Sequence, residues 1–215
     1  MAHIAVLGLG NWGTAIARLW LLEGHKVTGW TIEQEVYESI TMSETNEKYL
    51  PNHPVPGLDA TMHLSEAVEG AEIVVLAVPS SVILDVMEDV LPHLQPGHVL
   101  LDLAKGLAPG KRLISEAIHT RLKEEGKTNP LAVLTGPTIA PEAAGGVMTT
   151  ALVASEDQAI AQRLAQTLST PSFILHPASD PVGAELWGAY KNVVALACGL
   201  VDGLKQVGDL GGDNL

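Results

Sequence analysis

The chain has 215 residues, 47% of them hydrophobic, enough for one large domain or for one domain and part of a second. Its formal net charge of −13, with no Lys/Arg run, argues against nucleic acid or an anionic membrane as partner, and its longest apolar run, Val193 to Cys198, is far too short to span a bilayer. The single cysteine, Cys198, excludes an intramolecular disulfide, fits a reducing cytoplasm and reads as a small core residue; no secretory leader and no metal site are expected.

In chain order, the apolar run Ile4 to Leu7 predicts a short buried strand. It leads into Gly8, Gly10 and Gly13 at G-x-G-x-x-G spacing, after which Ala15, Ile16, Leu19 and Leu22 recur at helical intervals. Strand, tight turn and helix together suit a dinucleotide. Gly8 permits the turn, Gly10 lets backbone approach a pyrophosphate, Gly13 lets helix and strand pack closely, and the diphosphate sits on the free N–H groups of the helix. Lys26 to Trp30 predicts the second strand. Glu33 follows at the distance where an acidic side chain holds the adenosine ribose 2′-OH, and no cation stands between Trp30 and Glu35, so NAD is favoured, with NADP still compatible. The competing reading places Glu33 and Glu35 in the first turn of the next helix, where negative charge is favoured.

Prolines from Pro51 to Pro56 make Thr45 to Pro56 an ordered loop. Thr61 to His63 predicts a short strand and Glu72 to Val78 a stronger one, apolar enough to be buried on both faces. Pro79 stops it, and Ser80 and Ser81 are expected to cap a helix from Val82 to His93. The strand His98 to Leu103 delivers Lys105 and Gly106 to the carboxyl edge of the sheet, where a cation suits a phosphate, a carbonyl or a nicotinamide amide. A helix from Lys111 to Glu125 and a strand from Leu131 to Leu134 follow. The loop Thr135 to Glu142 is expected to offer backbone N–H groups and Thr138 to an anion. Strands Thr150 to Ala154 and Ser172 to Leu175, around a helix from Asp157 to Leu168, complete a doubly wound, mainly parallel α/β sheet of Rossmann type over residues 1–180. After Pro181 a long helix, Val182 to Leu204, opens a second, all-helical part over residues 181–215. Lys191 shares a face there with Ala184, Trp187, Gly188, Ala195 and Cys198, small and apolar enough for tight packing, where an ammonium needs a carboxylate, a ligand or water. Asn192, on the adjoining face, can hydrogen-bond either a ligand or the helix's neighbour.

In that order, Gly8-Leu-Gly-Asn-Trp-Gly-Thr-Ala15, Asn46-Glu-Lys-Tyr-Leu-Pro51, Val78-Pro79-Ser80, Lys105-Gly106, Gly136-Pro137-Thr138-x-Ala140-x-Glu142 and Lys191-Asn192-Val-Val-Ala195 resemble NAD(P)-dependent glycerol-3-phosphate dehydrogenase over essentially the whole chain. The resemblance implies reversible hydride transfer between NAD(P)H and dihydroxyacetone phosphate, giving sn-glycerol 3-phosphate for glycerophospholipid precursor supply. It implies a cytoplasmic enzyme with a small phosphorylated substrate, and a homodimer is compatible with it. It also implies that Asn11, Trp12, Lys105 and Ala140 contact the dinucleotide, that Lys105, Gly136 and Thr138 border the substrate, and that Lys191 transfers the proton; Asn192, next to it, is counted with the substrate residues from its place on the helix. The chemistry asks for such a pair. As hydride arrives, the carbonyl oxygen gathers negative charge, which a fixed cation at Lys105 stabilises and a proton from Lys191 completes.

Two departures from the family pattern stand out. Pro141 replaces a residue with a free N–H and Ile139 replaces a common aromatic, so a reshaped loop is expected. The family also continues past the position of Leu215 for about another hundred residues, ordinary domain size, in helices whose Asp and Arg-Asn pair grip the substrate phosphate. The chain is therefore expected to be a piece of a longer protein or a short form that leaves that grip incomplete. A related Rossmann dehydrogenase with another small substrate and a non-catalytic dinucleotide-binding module are the alternatives.

Overall fold

The computed structural model describes the backbone of residues 1–207, and the side chains of all of these except Asn192, Gln206 and Val207. Among them β1 (His3–Leu7), β2 (Lys26–Trp30), β3 (Asp59–Thr61), β4 (Ile73–Leu76), β5 (Val99–Asp102), β6 (Leu131–Thr135), β7 (Thr149–Ala154) and β8 (Phe173–Ala178) form one sheet. Its order is β3-β2-β1-β4-β5-β6-β7-β8. The strands from β3 across to β6 are all parallel, β7 runs antiparallel to β6, and β8 follows β7 in parallel. The chain thus winds outward in both directions from β1 and β4, which leaves a crevice at their carboxyl ends.

The central strands are apolar without alternation because both of their faces are covered. In β1, Ile4 and Val6 join one core with Ile16, Trp20, Val75, Leu101 and Phe173. Ala5 and Leu7 join the other, with Leu76, Ile83, Leu100 and Ile118. The helices α1 (Asn11–Leu22) and α7 (Gln158–Leu168) cover the first face, and α4 (Ile83–Val90) and α5 (Ile114–Glu124) cover the second. Trp20 is fully buried and donates its indole N–H to Leu168 O at 3.0 Å, so the largest core side chain of α1 is also satisfied and tied to the end of α7. The shorter α2 (Gln34–Ser43), α3 (Leu64–Val68) and α6 (Ala140–Ala144) fill connections.

Three local expectations are corrected. Neither Ser80 nor Ser81 caps α4. The Val82 N–H closes a turn onto Pro79 O at 3.1 Å, which moves the start of the helix to Ile83 and leaves Val82 at the cap without a side-chain bond. The stretch after Thr135 is not loop throughout, since residues Ala140–Ala144 wind into α6 with Pro141 in the first turn, where a missing N–H removes no helical bond. Cys198 is exposed rather than a core residue. The reason lies in the course of α8 (Pro181–Val207), which leaves the sheet behind in its second half.

That helix starts from the opposite edge of the sheet, because the reversed β7 and its partner β8 end there. It then climbs across β6: Ala184 and Gly188 are buried, and a Cβ on Gly188 would stand 2.4 Å from Thr135 Oγ1 at the strand's end. Beyond Lys191, Val193, Val194, Leu196 and Leu200 are exposed. No described helix is long and apolar enough to cross a membrane.

Candidate active site

At the β1–α1 turn, Gly8 has φ +109° and Gly13 packs so closely that a Cβ there would lie 1.9 Å from Gly8 O. Both glycines are required by the protein's own backbone. Gly10 is different, since a Cβ on it would meet nothing within 4 Å. The open space lies at the end of α1, whose first turn carries no acidic residue and no side-chain cap, so its positive end is free for an anion. A dinucleotide diphosphate fits this cradle. Asn11 is exposed there, whereas the half-buried Trp12 ring packs edge-on to Phe173 with centroids 6.0 Å apart. Ala140, on α6, and Trp12 both pack against the small cluster of Ala15, Leu50 and Ala144.

Glu33 stands at the end of β2 as the cap residue of α2, with Glu35 in the first turn. The stretch Trp30 to Glu35 carries no cation of its own, but the fold brings one to it from another segment. Lys48, from the proline-rich loop, places Nζ 2.5 Å from Glu33 Oε2 and also pairs with Glu35, while Tyr49 donates its hydroxyl to Glu33 Oε1 at 2.8 Å. Lys48 and then Tyr49 hold the Glu33 carboxyl below its ordinary range, and Glu33 followed by Glu35 raise the Lys48 ammonium above its own. The loop is fixed by Asn46, fully buried, which donates to Leu9 O and Thr14 Oγ1, both at 2.8 Å, and accepts from the Tyr49 N–H. One side chain thus joins the glycine turn to the segment that carries Lys48. Sequence reasoning missed this, although one signal was present: Lys48 is the only Lys or Arg between Lys26 and Lys105.

Across the crevice, β5 and β6 bring Lys105, Gly136 and Thr138 to the same edge, and α8 brings Lys191. Lys105 donates to Thr138 Oγ1 at 3.3 Å. Desolvation, and then the neighbouring Lys191 ammonium, hold Lys105 below the usual lysine range. Lys191 is half-buried and lines a cavity of about 540 Å³ with Gly136, Pro137, Trp187 and Gly188. Neither ammonium has a carboxylate partner among the described residues. The loop's expected N–H donors are fewer than its length suggested, because the Thr138 N–H already bonds Gly136 O at 2.9 Å. The Asn192 side chain lies outside the described residues.

Behind this edge are two buried carboxyls that the sequence did not single out. Asp102 accepts from the Ala104 N–H at 2.8 Å through Oδ1, while its Oδ2 has no hydrogen-bond partner among the described residues. Burial, with the nearby Glu185 adding to it, pushes its pKa up to about 8, so the group is neutral below that. Glu185, on α8, is bound by the first turn of α5.

A sheet wound outward from β1 and β4, with an open glycine turn and an uncapped helix end at its crevice, defines a Rossmann-type dinucleotide-binding fold. Two family models match: NAD-dependent glycerol-3-phosphate dehydrogenase N-terminus over residues 3–161, and its C-terminus over residues 180–214. The chain belongs to the NAD-dependent glycerol-3-phosphate dehydrogenase family. The glycerol-3-phosphate dehydrogenase [NAD(P)+] of Rhodospirillum rubrum is 41% identical over 204 residues, which are 94% of this chain and 57% of that protein. That of Syntrophotalea carbinolica is 40% identical, over 94% of this chain and 61% of that protein. The crystal structure of glycerol-3-phosphate dehydrogenase from Coxiella burnetii superposes with a TM-score of 0.87 at 34% identity, over 95% of this chain and 62% of that one. The chain spans about three fifths of the length of these relatives.

Proposed function

We propose that residues 1–180 form the dinucleotide-binding part, and residues 181–215 the opening of the helical substrate part, of an enzyme that interconverts dihydroxyacetone phosphate and sn-glycerol 3-phosphate. The observation that carries this reading is the meeting of Lys105 and Lys191, without carboxylate partners among the described residues, beside Gly136 and Thr138. Family membership supplies the substrate class.

Gly8, Gly10, Asn11, Trp12 and Gly13 would hold the cofactor diphosphate, Glu33 the adenosine ribose, and Ala140 and Lys105 the nicotinamide end. A bound nicotinamide supplies or accepts the hydride at the substrate's C2. In the reducing direction, Lys105 and Lys191 stabilise the negative charge that grows on the carbonyl oxygen, and the Lys191 ammonium donates the proton that completes the alcohol. The amine left on Lys191 regains its proton from water. Thr138 and the Gly136 backbone border the substrate, with Asn192 beside them. The product is the phosphorylated glycerol from which glycerophospholipids are built, and a cytoplasmic location and a homodimer complete the reading.

The test is NADH consumption with dihydroxyacetone phosphate against a panel of other small ketones and 2-oxo acids. It is run on this chain and on a version extended to the length of its relatives. Selective turnover of dihydroxyacetone phosphate by the extended version is expected. Preference for another ketone, or cofactor binding with no turnover in the extended version, would overturn the reading.

A further inference from the structure

We propose that Lys48 is a specificity determinant for the adenosine-ribose end of the cofactor site, an assignment that rests on reading the glycine turn as a dinucleotide site. Three observations carry it. First, Lys48 and Tyr49 each engage one oxygen of Glu33, so the carboxylate is oriented while each oxygen keeps a lone pair for a ribose hydroxyl. Second, the end of β2 holds Glu33 and Glu35 against one ammonium, an excess of negative charge that disfavours a 2′-phosphate. Third, the ion pair is exposed, with 40% of the Lys48 side chain and 31% of that of Glu33 open to solvent, and such pairs are easily exchanged for another acceptor.

Lys48 therefore has two states of use. Paired with Glu33, it fixes the acceptor that recognises a 2′-hydroxyl. Turned to a 2′-phosphate, it is a cation already placed to meet that dianion: among the described residues Lys48 is the ammonium paired with Glu33 and Glu35, while Arg18 is engaged by Pro54 O and Ala144 O. Asn46 holds the backbone on either course, so only the flexible side chain moves. The residual tolerance for NADP resides in Lys48, and Glu33 sets how much of it is expressed.

The experiment measures Kd for NAD+ and NADP+ by calorimetry on the parent chain, Lys48→Gln, Glu33→Gln and the double variant, with thermal unfolding of each to confirm the fold. The parent binds NAD+ more tightly. Lys48→Gln should raise the ratio of the NADP+ to the NAD+ constant about tenfold, the scale of one charge-assisted hydrogen bond, and Glu33→Gln should lower it by a similar factor. In the Glu33→Gln background, losing Lys48 should raise the ratio by more than it does alone, since the freed ammonium then serves the phosphate. An unchanged ratio in Lys48→Gln, with both cofactors bound, overturns the proposal alone. Failure of the folded parent to bind either cofactor overturns the dinucleotide reading, and this assignment with it.

Discussion

The Glu185 carboxylate accepts a hydrogen bond from Ser115 Oγ at 2.5 Å and from the Ser115 N–H at 3.3 Å, and another from the Ile114 N–H. A residue of α8 therefore caps the first turn of α5, where negative charge meets the helix dipole. Lys191 lies less than two turns further along α8, so this contact sets where its ammonium arrives. Glu185→Ala leaves three buried donors unpaired and should cost about 2–4 kcal/mol in urea unfolding. A loss below about 0.5 kcal/mol, the range of ordinary surface changes, would show that α8 is held by other contacts.

Asp102 makes stability depend on pH in an unusual sense. Its carboxyl has an ordinary value of 3.8 and a folded value of about 8, so between those limits the folded chain keeps a proton that the unfolded chain has released. The contribution of this group to stability therefore falls as pH rises through that window and levels off above it. Asp102→Asn keeps an acceptor for the Ala104 N–H and abolishes the titration. The variant should gain on the parent progressively from pH 4 to pH 8, reaching on the order of a few kcal/mol near pH 7. A stability difference that did not vary with pH would contradict the buried neutral carboxyl.

Gly10→Ala and Gly13→Ala should separate binding from folding. The first adds a methyl group to open space and should leave the unfolding midpoint nearly unchanged while raising the NADH Kd about tenfold or more. The second drives a Cβ into Gly8 O and should destabilise the chain by about 3 kcal/mol. Unaltered NADH affinity in Gly10→Ala would move the diphosphate away from this turn.

Removing one ammonium should be felt by the other. With Lys191→Met, desolvation alone would remain to depress Lys105, whose titration should move up toward the ordinary lysine range; NMR of ε-13C-labelled lysines reads this directly. In a version extended to the length of the relatives, Lys191→Ala should lower kcat by about 10²-fold or more, with a smaller effect on cofactor affinity. An unmoved Lys105 titration would mean that the two side chains do not meet in solution.

Much of this architecture is written in local pattern. The apolar runs of β1, β4 and β5 are buried on both faces because a doubly wound sheet has no wet side, and the boundaries of β2 coincide with the expected Lys26 to Trp30. The helix expected from Asp157 to Leu168 is present as α7, with Asp157 as its cap residue, its Oδ1 accepting from the Ala159 N–H at 2.9 Å. Lys105, Gly136, Thr138 and Lys191 were legible as residues at strand ends or on a small-residue helix face. What local pattern could not convey was pairing across the fold. Lys48 reaches Glu33 only because Asn46 pins a distant loop to the glycine turn. The Asp102 and Glu185 carboxyls come together only once α8 lies across the sheet. Cys198 looked like core for the complementary reason: its apolar neighbours are real, and the described sheet ends before it.

The Lys105–Lys191 pair has a kinetic consequence. It is a small cationic island in a chain of formal net charge −13, so a phosphorylated ligand approaches through a repulsive outer field and is captured only at short range. Raising ionic strength from about 10 to 100 mM shortens the screening length from about 30 to about 10 Å, which quenches the distant repulsion before the close attraction. Association of inorganic phosphate or a phosphorylated triose, followed by stopped flow, should therefore quicken with the first additions of salt and slow only at higher concentrations, the reverse of the monotonic decline expected when ligand and protein attract at long range.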